Sequence, residues 1–91
     1  MSKKRFLFLC TPVHLDNIDE IRIFVAENEE RCIKEMAAIE SVNEFFRETY
    51  KPANGDYYEL ALHLIRSGEW MKLNIRKLAE IETDYEFEVL H

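Results

Sequence analysis

A chain of 91 residues that is 47% hydrophobic and 12% aromatic, with only two glycines and two prolines, is too apolar for disorder and too short for a core plus a separate catalytic lobe. Eighteen acidic against twelve basic side chains give a formal charge of -6, which argues against direct nucleic-acid binding, since phosphate recognition needs a basic surface. Residues 1–91 read as a single α+β domain, and two cysteines without C-x-x-C spacing read as reduced, buried thiols of a cytoplasmic protein.

The amino terminus Met1-Ser2-Lys3-Lys4-Arg5 imitates a signal peptide, but the apolar run over 6–10 is too short for one, so neither an export signal nor a membrane segment is expected. That run, Phe6-Leu7-Phe8-Leu9-Cys10 before Thr11-Pro12, predicts a central strand covered on both faces. A loop is expected over 13–18. Residues 19–26 then alternate Ile21, Ile23 and Val25 with Glu20, Arg22 and Phe24, the period of a second strand.

Asn28 is a plausible N-cap, with Glu29 and Glu30 in the first turn where the helix dipole favours negative charge. One long helix is predicted from there to about residue 49, with Cys32, Met36, Ile39, Asn43, Phe46 and Tyr50 forming a stripe against the sheet. Pro52-Ala53-Asn54-Gly55 breaks the chain. A second helix opens on Asp56-x-x-Glu59 and closes at Ser67-Gly68 through a left-handed C-cap. A third is predicted over 69–82, with Trp70, Leu73, Leu78 and Ile81 inward. Tyr85-Glu86-Phe87-Glu88-Val89-Leu90 alternates as a last strand. The expected fold is a three-stranded sheet in the order strand, strand, helix, helix, helix, strand, with the first strand central and helices packed on it.

No catalytic, cofactor-binding or metal-binding residue is assigned. Cys10-Thr11-Pro12-Val13-His14 lacks the glycines and nearby arginine of a phosphate loop, and His14-x-Asp16 supplies too few ligands for a metal without help from Asp19 or Glu20. The turn at Ser67-Gly68 between two expected helices resembles a helix-turn-helix, with Lys72, Arg76 and Lys77 on the second helix beside Glu69, Glu80 and Glu82, which oppose DNA.

The most unusual feature is acid at every second position, Glu80, Glu82, Asp84, Glu86 and Glu88. In a strand Asp84, Glu86 and Glu88 share one side, either a solvated face that discourages aggregation or a docking ribbon for a basic partner. Phe45 and Tyr57, each next to another aromatic that takes the inward position, are the expected exposed anchors. The leading expectation is a small acidic non-enzymatic binding protein or inhibitor. It would dock a larger protein with a basic surface through Asp84, Glu86, Glu88, Phe45 and Tyr57, a role comparable by analogy to anti-defence proteins of phages and mobile elements. A homodimer is compatible with this. The alternatives are a small enzyme or ligand-binding domain using residues 10–20, and a nucleic-acid-binding regulator.

Overall fold

The computed structural model describes residues 3–15 and 17–89. The apolar run of the amino-terminal segment forms the middle of β1 (Lys3–His14), twice the expected length, which continues past Pro12 and turns at Leu15 into β2 (Asn17–Ile18) and β3 (Arg22–Ala26). Pro12 is tolerated inside this strand for a specific reason. Its carbonyl accepts the Asp19 amide at 2.9 Å, on the side where pairing lapses between Cys10–Arg22 and Val13–Ile18. A strand residue points its N–H and C=O to the same edge, so the N–H that proline lacks falls in that gap.

Three helices follow: α1 (Glu29–Ser41), α2 (Glu44–Thr49) and α3 (Tyr57–Ser67). Asn28 caps α1 by accepting from Arg31 N, and Asp56 caps α3 by accepting from Glu59 N. Gly68 ends α3 at φ +76°, a left-handed conformation that costs other residues about 1 kcal/mol. The single helix expected over 28–49 is divided at Val42-Asn43. Asn43 is not a stripe residue there; its side chain accepts from the Phe45 and Phe46 amides as the N-cap of α2. Arg47 bridges the break by donating from Nε to Ser41 O at 2.6 Å.

The helix expected over 69–82 is instead β4 (Lys72–Thr83), which pairs antiparallel with β1 from Lys3 to Val13. A hydrogen-bonding edge twelve residues long outweighs a weak helical propensity. The segment proposed as a DNA-recognition helix is therefore not a helix. The final strand shrinks to β5 (Phe87–Glu88), paired with β3, and Leu90 of the expected strand lies outside the described residues. Among the described residues the expected three-stranded sheet is thus a five-stranded antiparallel one with three helices, and β1 is central to it as expected, bordered by β4 on one side and by β2 and β3 on the other.

The core lies between the helices and one face of the sheet. Phe8, Cys10 and Phe24 meet Cys32, Met36 and Ala37 of α1, Phe46 of α2, and Ala61 and Ile65 of α3. α1 packs chiefly on α3, and Glu30 of α1 pairs with Arg66 of α3 at their exposed sides. The other face of the sheet carries no described helix. Leu7 and Leu9 pair there with Val25 and Ile23, and Arg5, opposite Ile81, is only 7% exposed. Its Nε and Nη1 find no acceptor among the described residues, and a buried unmet donor costs about 1–3 kcal/mol. Replacing Arg5 with Leu is accordingly expected to raise unfolding free energy by about 1–3 kcal/mol in a urea titration; a loss of stability would show that Arg5 is satisfied.

Candidate functional site

The end of β1 and the carboxyl-terminal half of α1 diverge to leave a cleft of about 310 Å³. One wall is Pro12 and His14 of β1 with Asp19 and Glu20 of the connection before β3 and Arg22 of β3. The other is Met36, Ile39 and Glu40, which the helical repeat places on one side of α1, completed by Asn43 and Phe45 at the start of α2. Trp70, in the connection from α3 to β4, closes the cleft from within.

Trp70 organises this region. It is 8% exposed, and its indole N–H donates to Glu40 Oε2 at 3.0 Å, satisfying the polar end of a ring otherwise held in hydrocarbon. Phe46 and Tyr50 meet it nearly edge-on at centroid separations of 5.2 and 5.5 Å. On the cleft side His14 lies 4.6 Å away and Phe45 5.6 Å away, with His14 and Phe45 themselves edge-on at 6.3 Å. These aromatic contacts hold three rings together at the mouth: Trp70 below, His14 and Phe45 beside it. Three carboxylates, Asp19, Glu20 and Glu40, share the lining with one guanidinium, Arg22, which is already paired with Glu88 at 2.7 Å.

The exposed apolar side chains add to this picture. Leu15 is 81% exposed, and Ile18, Ile21, Val42 and Phe45 are also exposed; all come from the two segments, 15–21 and 42–45, that run into the cleft walls. Leu15 additionally has φ +49° at the β1–β2 turn, an uncommon conformation for a branched residue. Phe45, expected as an exposed anchor, is thus placed at the cleft.

The remaining expected anchors lie elsewhere. Tyr57, at the start of α3, lies beneath the Arg47 guanidinium, 4.4 Å from ring to charge, and packs on the core. Glu86 accepts from Glu27 N at 2.8 Å and from Arg31 Nε at 3.2 Å, while Glu88 is engaged by Arg22. Asp84 is exposed in the turn before β5. The strand side bearing Glu86 and Glu88 therefore turns toward arginines of α1 and β3, while Tyr85 and Phe87 are the exposed side chains. Glu80 pairs with Lys4 at 2.9 Å on β1.

Cys10 and Cys32 are both buried and unbridged, and they are neighbours whose thiols influence each other. The neighbouring Cys10 and burial push the Cys32 thiol far above its ordinary value, whereas the neighbouring Cys32 lowers that of Cys10, against burial and the Glu29 carboxylate. Cys10 faces the core and does not line the cleft. Asp16, considered above as a metal ligand, lies outside the described residues. Among the described residues no three His, Cys, Asp or Glu side chains converge on a point that would hold a metal ion, and no helix is long and apolar enough to cross a membrane.

Trp70 and Glu40 were not singled out by the sequence as site residues. The signal available was Glu40 itself, a charge one residue from Ile39 on the inner side of α1 and seven before Arg47, where a solvated residue would be expected to face away. No family model, curated protein or solved structure matches the chain.

Proposed function

We propose that the chain is a small acidic non-enzymatic binding protein that docks a larger protein with a basic surface, and that the cleft at Trp70 receives an arginine or lysine side chain from that partner. The supporting observation is the combination in one cleft of three rings, Trp70, His14 and Phe45, with three carboxylates, flanked by exposed Leu15, Ile18 and Val42. Aromatic faces attract cations, neighbouring carboxylates orient them, and a surrounding apolar rim excludes water, the arrangement in which a few side chains dominate an interface. The partner contact is centred on Phe45 and the cleft, with Asp84, left exposed, contributing at long range to steering. Two buried unbridged cysteines support a reducing compartment such as the cytoplasm.

A second reading is favoured by His14, Asp19 and Glu20 lying together in the cleft: a ligand-binding or enzymatic use of residues 10–20. Its candidate nucleophile, Cys10, lies beneath the helices, which leaves acid-base chemistry by His14 and the carboxylates as the form it would take.

Phe45 is 58% exposed, so removing it disturbs the fold little. Phe45→Ala is expected to weaken the partner complex by about tenfold or more with an unchanged melting temperature, measured by calorimetric titration against the partner protein recovered by affinity pull-down with the wild-type chain. Equal affinity of wild type and variant would take the docking site away from the cleft.

A further inference from the structure

β4 is the outer strand of the sheet, paired with β1 along its length and with no strand beyond it among the described residues. Antiparallel pairing on one side leaves alternate N–H and C=O groups of such a strand directed outward, a template for another strand. Edges of this length are normally protected by charge and bulges, and β4 has both. Its bulge falls at Leu78, between the pairs Leu7–Ala79 and Phe8–Lys77.

The charges are segregated. Lys72, Arg76 and Lys77 precede the bulge and Glu80 and Glu82 follow it, with Leu78 between them 46% exposed. Randomly mixed charge would discourage every strand, but this order is complementary to its own reverse. Two copies set antiparallel about an axis between Leu78 and Ala79 bring the basic half of each strand against the acidic half of the other, with Leu78 of each copy beside Ala79 of the other at the centre; parallel pairing would oppose like charges. The bulge also makes the faces agree: Lys77 is opposite Phe8 and Glu80 opposite Phe6, so both project from the face that bears Phe6 and Phe8. Across a twofold axis through the bulge, Lys77 of each copy thus meets Glu80 of the other on one face.

We infer that β4 is a self-association edge, through which two copies of this chain join antiparallel into one continuous sheet. Antiparallel joining at an edge requires an axis perpendicular to the sheet, so both helix layers lie on the same side and the interface is isologous. The Lys4–Glu80 pair is compatible with it, since Lys4 and Glu80 remain well exposed in one copy. This surface is distinct from the cleft, so either proposal stands or fails alone.

Sedimentation equilibrium of the purified chain is expected to give twice the single-chain mass at micromolar concentration. The doubly substituted chains R76E/K77E and E80K/E82K, each checked for native circular dichroism, are expected to sediment at the single-chain mass. Mixed in equal amounts they are expected to recover the doubled mass, because one then presents acid at 76, 77, 80 and 82 where the other presents base. A wild-type chain of single mass, including one whose edge accepts only a foreign strand, overturns the inference. So does a doubled mass that survives in both variants, or a mixture that stays at single mass.

Discussion

Trp70→Ala is expected to lower the unfolding free energy by about 3–5 kcal/mol, a large part of the roughly 5–15 kcal/mol that holds a domain of this kind together. The indole is buried against His14, Phe45, Phe46 and Tyr50, rings drawn from β1, α2 and the segment after it, so its loss opens a void that no single element closes. It also leaves Glu40 without its donor at a partly enclosed position. Trp70→Phe separates the two effects: it keeps much of the ring volume but removes the N–H, and a deficit of about 1.5–3 kcal/mol is expected from the charged hydrogen bond alone. Urea denaturation of the three proteins measures both. Equal losses in the two variants would mean that the hydrogen bond, and not ring packing, accounts for the role of Trp70.

Phe8→Ala is expected to cost a similar 3–5 kcal/mol, for a different reason. Phe8 is 1% exposed at the middle of the central strand, paired with Phe24 on one side and Lys77 on the other, and covered by the helices. The cavity it leaves lies inside the layer shared by sheet and helices, where neither can settle inward without losing the other. Loss of most of the cooperative transition in thermal denaturation is the expected result; a shift of only a few degrees would show that the helix layer collapses onto the vacated space.

Phe8 and Trp70 also mark what was legible in the sequence. The apolar run around Phe8 has one reading, a buried strand, and it becomes the centre of the sheet. Asn28, Asp56 and Gly68 act as the caps their side chains, or in Gly68 the absence of one, allow, because capping is settled within a few residues. The sequence of β4 reads as a helix because it contains leucine, alanine, lysine, arginine and glutamate, all compatible with helix, and because Trp70, Leu73, Leu78 and Ile81 fall near helical spacing. The alternation Leu73, Ile75 resumes in step at Ile81 and Thr83, but the exposed stretch over 76–80 interrupts it, and the bulge at Leu78 moves the later residues to the opposite face of the sheet. What decides the segment is the free edge of β1, far away in sequence, which no local pattern reports. The break at Asn43 was masked in the same way, because the capping residue happened to fit the apolar stripe by position.

The cleft was the least legible feature. His14, Glu40 and Trp70 are distant in sequence and meet only because β1 outruns the expected strand and because the chain after α3 turns into β4. The acidic alternation, conspicuous in sequence, is divided by the fold: Glu80 turns to Lys4, Glu86 to Arg31 and Glu88 to Arg22. Regular spacing places these acids on common sides but does not say that basic side chains from other elements meet them there.

The most direct test of the cleft as a receptor for a cationic side chain is an amide and indole NMR titration with a short arginine-containing peptide, run beside the same peptide carrying neutral citrulline in place of arginine. Progressive shifts centred on the Trp70 indole N–H, His14, Glu40 and Phe45 with the arginine peptide, and none with the citrulline peptide, are the predicted result. Shifts that are equal for both peptides, or spread over the surface without reaching Trp70, would contradict it.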